Sequence, residues 1–172
     1  LAGRLTEETG PGGVKTTYAD SFNASTGETT KTTTFASGTA DAATRIETYA
    51  RDGSLLKITG TAVNPVRFEN VLEAEGGVTR LCRVEIKLNA AGADTTEWIK
   101  TYLDVAGRPY KTLHSSGIGA PSSLRAFNAA GQLASETDPD GVVTRYQYNA
   151  KGEVMDTATD VNRNGQIDEA GA

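Results

Sequence analysis

The chain contains a single cysteine, Cys82, so it cannot build an internal disulfide framework, and its redox compartment stays open. Its single histidine, His114, has no motif around it and reads as a surface or loop residue rather than a catalytic base. A nucleophilic Cys82 would need a histidine partner placed by the fold; its position on the apolar side of a strand makes a buried thiol the default. No apolar run approaches the length of a membrane span, and no basic-then-apolar signal opens the chain, which argues against membrane insertion. There is no glycine-rich phosphate loop, no serine elbow, no zinc spacing and no basic aromatic patch. A net charge of -5 also argues against nucleic acid or an anionic membrane surface as partner. Together these absences predict a protein that is not an enzyme. Hydrophobic residues make up only 37% of the 172, below what a compact globule favours. The chain begins at Leu1 and its only methionine is Met155, as expected of a piece of a longer polypeptide.

Glycine and threonine are abundant instead, which points to many short strands and turns. The best-formed stretch is Gly141 to Val154. Val142, Thr144, Tyr146 and Tyr148 fall on one face, and Val143, Arg145 and Gln147 on the other, the alternation of a half-buried strand. Asn149-Ala-Lys-Gly152 follows, with Asn to bond back onto the turn and Gly to accept the positive φ that ends it. Asn89–Gly92, Asp104–Gly107 and Asn128–Gly131 have the same four-residue form. Asn23-Ala-Ser-Thr-Gly27 is one residue longer, and Arg51-Asp-Gly53 reads as a tighter version. The residue before each turn (Phe22, Leu88, Leu103, Phe127, Tyr148) and the one two places after its glycine (Leu5, Leu55, Leu133, Val154) are expected to meet as buried pairs.

The segment Gly3 to Tyr18 lies without a gap on Gly131 to Tyr146, matching Leu5 to Leu133, Glu8-Thr9 to Glu136-Thr137, Pro11 to Pro139 and Tyr18 to Tyr146. That register makes Asp138-Pro-Asp-Gly141 a turn rather than a pair of catalytic carboxylates, because its counterpart Gly10-Pro-Gly-Gly13 has none. Leu81 to Leu88 alternates Cys82, Val84, Ile86 and Leu88 against Arg83, Glu85 and Lys87, and Thr95 to Tyr102 carries Trp98. Glu28 to Phe35 is a threonine-rich strand suited to an edge or a solvated face. Thr44, Ile46 and Thr48 favour strand over helix between Ala40 and Thr48. Asn64-Pro65 and Gly117 to Pro121 read as longer loops. Asn23-Ala-Ser25 fits a glycosylation acceptor, a triplet common by chance.

Arg145-Tyr-Gln-Tyr-Asn-Ala-Lys-Gly-Glu-Val154 resembles the tyrosine-aspartate (YD) repeat of Rhs-type proteins, roughly Arg-Tyr-x-Tyr-Asp-x-x-Gly-Arg-Leu. Gly3-Arg-Leu5, Asp104 to Arg108 and Phe127 to Leu133 look like worn copies. Asn149 stands where the family has Asp, and Glu153 where it has Arg. The resemblance implies an all-β array of antiparallel hairpin repeats, wound into a curved or spiral sheet of solenoid or shell type. It also implies an exported or cell-surface structural role, in bacterial toxin shells or in adhesion. Flanking repeats of the same polypeptide, or copies of the chain itself, would be the partners. A glycan or a surface protein would be the partner if the sheet were instead a binding module.

The tail, Asp160-Val-Asn-Arg-Asn-Gly-Gln-Ile-Asp168, resembles the calcium loop of EF-hand and dockerin-like proteins. Asp160, Asn162 and Asn164 offer side-chain oxygens at alternate positions, Gly165 permits the sharp turn, Gln166 offers its carbonyl, and Asp168 binds directly or through water. Ile167 would anchor the loop. The position of the bidentate glutamate holds Gly171, with Glu169 out of pattern. The alternative is a polar turn leading into the next strand. The resulting division is a repeat region over 1–158 and a candidate Ca2+ loop over 159–172.

Overall fold

The computed structural model describes residues 4–115 and 121–168. Gly3, the Gly117–Ala120 part of the expected loop, and Glu169 and Gly171 lie outside them. The described chain is all-β: β1 (Glu7–Thr9), β2 (Lys15–Asn23), β3 (Glu28–Phe35), β4 (Ala43–Tyr49), β5 (Leu55–Thr59), β6 (Val66–Glu75), β7 (Val78–Leu88), β8 (Asp94–Leu103), β9 (Pro109–His114), β10 (Ser122–Phe127), β11 (Leu133–Thr137), β12 (Val143–Tyr148) and β13 (Val154–Thr159). The strands are antiparallel and hydrogen-bonded in sequence order from β1 to β13, an open meander. The Ala40–Thr48 ambiguity resolves as strand. Glu28–Phe35 is not at an edge: it pairs with β2 on one side and β4 on the other, which half-buries most of its threonines.

Among the described residues seven turns share one backbone pattern, in which the first residue exchanges hydrogen bonds with the fourth and fifth; they begin at Gly10, Ala50, Asn89, Asp104, Asn128, Asp138 and Asn149. In the last, Asn149 N–H donates to Glu153 O and Gly152 N–H to Asn149 O, both at 3.0 Å. The Asn149 Oδ1 then accepts the N–H groups of Lys151 (2.9 Å) and Glu153 (3.0 Å). A side-chain oxygen three bonds from the Cα thus satisfies donors that the tight turn would otherwise leave to solvent. Gly152 sits at φ 85°, where a β-carbon is strained. The Gly53 turn is therefore not tighter; it begins at Ala50 and has the common length. Asp138–Gly141 has the same pattern, with Oδ1 of Asp138 accepting from Asp140 and Val142.

The gapless match is realised residue by residue. Glu7, Glu8 and Thr9 pair with Thr17, Thr16 and Lys15, and their counterparts Ser135, Glu136 and Thr137 pair with Arg145, Thr144 and Val143. Two expected cross-hairpin pairs form, Phe127 with Leu133 and Tyr148 with Val154, and Tyr49 with Leu55 and Leu103 with Pro109 pair in the same way. Each is followed by a bulge that leaves one residue unpaired, as a type I turn with a glycine bulge requires. Burial is shallower than expected. Val154 is exposed on β13, Leu5 is exposed, and Phe22 is exposed opposite Thr29, a threonine where other hairpins have Leu or Val two places after the glycine.

Contacts divide the chain into two compact units, Leu1–Glu69 with Glu85–Thr96, and Asn70–Val84 with Glu97–Ala172. In the first, Leu88 and Thr48 are buried, and Arg67 grips both Asp94 oxygens at 2.6 Å. In the second, Cys82, Val84, Tyr102 and Leu103 are buried.

Candidate functional site

The candidate loop begins where β13 ends. Asp160 N–H donates to Val143 O at 2.8 Å, extending the β12–β13 ladder by one residue. Asp160 follows Thr159 as Asp138 follows Thr137, but the glycine closing its turn, Gly165, comes two residues later than Gly141 does in the shorter turn. The carboxylate folds into that longer loop. Its Oδ2 accepts Arg145 Nε (2.7 Å) and the N–H of Gly165 (3.1 Å). The Asp160 side chain is only 1% exposed, and its other oxygen, Oδ1, has no hydrogen-bond partner. The Arg145 guanidinium holds the Asp160 carboxyl below its ordinary acidity range.

The remaining residues of the motif gather on Asp168. Asn162 Nδ2 donates to Asp168 Oδ2 at 2.8 Å and Asn164 Nδ2 to Oδ1 at 2.9 Å. The amide oxygens curl the backbone, Asn162 Oδ1 accepting Asn164 N–H and Asn164 Oδ1 accepting Gln166 N–H. Ile167 is half-buried and lines a groove of about 380 Å³ together with Ala134, Tyr146 and Gln147. Among the described residues no group of three or more His, Cys, Asp or Glu side chains comes together. The donors here are two carboxylates and two amides.

Two further constellations were not anticipated from sequence. The first joins every second connection of the second unit, the turns after β8, β10 and β12. The residue after each turn glycine bonds back to the turn's first side chain: Arg108 to Asp104 (2.7 Å), Gln132 to Asn128 (2.8 Å) and Glu153 to Asn149 (2.7 Å). Two of the three also reach the next turn of this series. Arg108 Nη1 donates to Gly131 O at 2.9 Å while its guanidinium lies 4.0 Å from the centre of the Phe127 ring, and Gln132 Nε2 donates to Gly152 O at 3.4 Å. Asn149 and Glu153, which stand where the YD-repeat pattern has Asp and Arg, therefore touch each other. An Asp at 149 would face the Glu153 carboxylate, and Asn removes that repulsion.

The second lies across β6, β8 and β9. Glu73 accepts Lys100 Nζ (2.5 Å) and Tyr102 O–H (2.7 Å), and Glu75 accepts Lys111 Nζ and Tyr110 O–H, both at 2.8 Å. Tyr110 is the unpaired residue of the β8–β9 bulge, so it and Lys111 can both reach Glu75. Lys100 and then Tyr102 hold the Glu73 carboxyl below its usual range, and Lys111 and then Tyr110 do the same for Glu75. Burial, with Glu73 beside it, pushes the Tyr102 phenol up. Ionised carboxylates against protonated phenols act as fixed fasteners, not as an acid–base pair poised near neutrality. The recurrence of Glu73 and Glu75 two apart, with Lys100 and Tyr102 also two apart, was the available signal.

The other candidates take structural places. Cys82 is a buried free thiol whose acidity burial suppresses. His114 ends β9, half-buried and paired with Ile99 rather than in a loop. Asn23 uses its Oδ1 to accept the N–H of Ser25 in an exposed turn. Tyr146 and Tyr148 are half-buried, and Tyr148 O–H donates to Leu133 O at 2.9 Å, which makes it a packing residue.

No helix among the described residues is long and apolar enough to cross a membrane. A comparison with curated proteins finds no match. The family model of the RHS repeat matches residues 127–166, from the end of β10 through β13 and into the Asp160 loop. Those residues contain three of the shared turns and the tyrosine pair of β12, and over that span the chain is similar to an RHS repeat.

Proposed function

We propose that this chain is an architectural segment of a large secreted or cell-surface repeat protein, whose hairpins extend a sheet by pairing with flanking repeats or with a second copy. RHS-repeat proteins are typically secreted or at the cell surface, and the repeat is structural rather than catalytic. The observation that carries the reading is the linked series of turns at Asp104, Asn128 and Asn149, in which each unit fastens to the next. An array of this kind stabilises each repeat through its neighbour. The last strand, β13, presents exposed Val154 and Met155 and an unpaired backbone edge.

The edge defines its own test. Asp160 N–H points to β12, so by the alternation of antiparallel ladders the N–H groups of Thr157 and Thr159 point away from it. Thr157→Pro removes an outward donor without breaking a β12–β13 bond. Sedimentation of the 172-residue chain should show concentration-dependent association that Thr157→Pro abolishes at unchanged thermal stability. Glycan capture or polysaccharide hydrolysis by a strictly monomeric chain would overturn the reading in favour of a binding module or an enzyme.

A further inference from the structure

We propose that the Asp160–Asp168 loop is a divalent-cation site of the calcium class, with Arg145 as the residue that positions its first ligand. The strongest sign is the Asp160 carboxylate. Its side chain is 1% exposed, yet only one of its oxygens is satisfied. An enclosed, ionised oxygen without a donor or a cation beside it is costly, and folded proteins rarely leave one. Because Oδ2 is pinned across the loop to Gly165 N–H, the carboxylate lies inside the curl of the loop rather than on its outside.

The chemistry of the surrounding donors fits the same ion. Asn162, Asn164 and Asp168 already converge, with both amides bonded to the one carboxylate. Every side chain in the set carries oxygen and none carries sulfur or imidazole, the preference of a hard cation that takes six to eight oxygens. Asn162 and Asn164, at alternate positions, both turn their amides to Asp168, and Gly165, at φ 85°, bends the loop and donates its N–H to Asp160. Loading would rotate the two amides so that oxygen rather than nitrogen faces the centre, with Asp168 exchanging amide donors for the ion. The Gln166 carbonyl supplies a further ligand and water completes the shell.

Arg145 sets both the geometry and the strength. Its Nε holds Oδ2, leaving Oδ1 as a single fixed ligand, and its charge offsets one of the two carboxylates. A site of two carboxylates beside one guanidinium should be weak, with a dissociation constant on the order of 10⁻⁴–10⁻³ M, in the range of extracellular modules. Such a site would fill at extracellular calcium levels and stiffen the loop that follows β13.

The test is calorimetric titration of CaCl₂ into the 172-residue chain, run beside thermal melts. The expected result is one saturable site and a melting temperature raised by about 3–6 °C at ten times the dissociation constant. Asp168→Asn should weaken binding at least about tenfold. Asp168 is exposed and its hydrogen bonds run to Asn162 and Asn164 within the loop, so this variant should keep the β12–β13 hairpin even where Asp160→Asn does not. Asp156→Asn, which removes an exposed carboxylate of β13 outside the loop, should leave binding unchanged. Absence of heat and of a melting shift up to 10 dissociation constants of the expected range would overturn the proposal. So would equal loss of binding in the Asp156 and Asp168 variants, since that outcome means diffuse attraction to an acidic protein.

Discussion

Replacing Asn149 by Asp, the residue of the family pattern, should destabilise this chain. Asn149 Nδ2 donates to Glu153 Oε2 at 2.7 Å, and the Asp104–Arg108 pair occupies the same place two turns earlier at 2.7 Å. Asn149→Asp loses that bond and sets two carboxylates together. At an exposed turn the lost bond is worth about 0.5–1 kcal/mol and the repulsion about 0.3–0.5 kcal/mol, for a total near 1 kcal/mol. The turn's backbone caps survive, because Asp offers the same Oδ1. Adding Glu153→Arg rebuilds the Asp104–Arg108 arrangement and should recover the loss. Urea denaturation of the parent, both single variants and the double variant gives the coupling directly, expected at about 1 kcal/mol in favour of the double variant. An unchanged midpoint in Asn149→Asp, or additive effects in the double variant, would refute the claim that these two departures are one compensated change.

Three further outcomes follow from particular contacts. Gly60 has φ 120°, and a β-carbon there would press into the Thr44 carbonyl oxygen, so Gly60→Ala should cost about 2–4 kcal/mol in denaturant unfolding. Glu73 and Glu75 have folded-state pKa values lowered from the ordinary 4.5, so their contribution is complete above that pH and is lost as the pH falls from 4.5 through the lowered folded values. Near-ultraviolet circular dichroism during acid titration should therefore show a transition below pH 4.5 that Glu73→Gln with Glu75→Gln shifts or flattens. Cys82 should resist thiol reagents in the folded chain and react fully in denaturant, because it is buried and its acidity is suppressed.

The hairpin architecture was legible because its signals are local. An Asn or Asp followed three residues later by Gly specifies a turn through bonds spanning five residues, and the alternation on Leu81–Leu88 specifies a strand. The gapless match of Gly3–Tyr18 to Gly131–Tyr146 carried even the pairing register, since an equal strand–turn–strand spacing leaves little room for another. The place of Glu28–Phe35 was misread because threonine suits both a solvated edge and a half-buried interior strand, and composition cannot choose between them. What could not be read were contacts between strands far apart in sequence. Glu75 meets Lys111 across 36 residues, and Tyr110 joins them only because a bulge turns it to the same side. The candidate loop was visible as a spacing of Asp, Asn and Gly, but Arg145 was not, because its partnership with Asp160 depends on the β12–β13 register.

Amide hydrogen exchange along β13 tests the architectural account most directly. In dilute solution the amides of Asp156 and Ala158, which face β12, should be protected, and those of Thr157 and Thr159, which face outward, should exchange freely. At high concentration, or with an adjoining repeat supplied, Thr157 and Thr159 should become protected while the inward amides stay as they were. Outward amides that exchange freely under every condition would contradict a strand built to be extended.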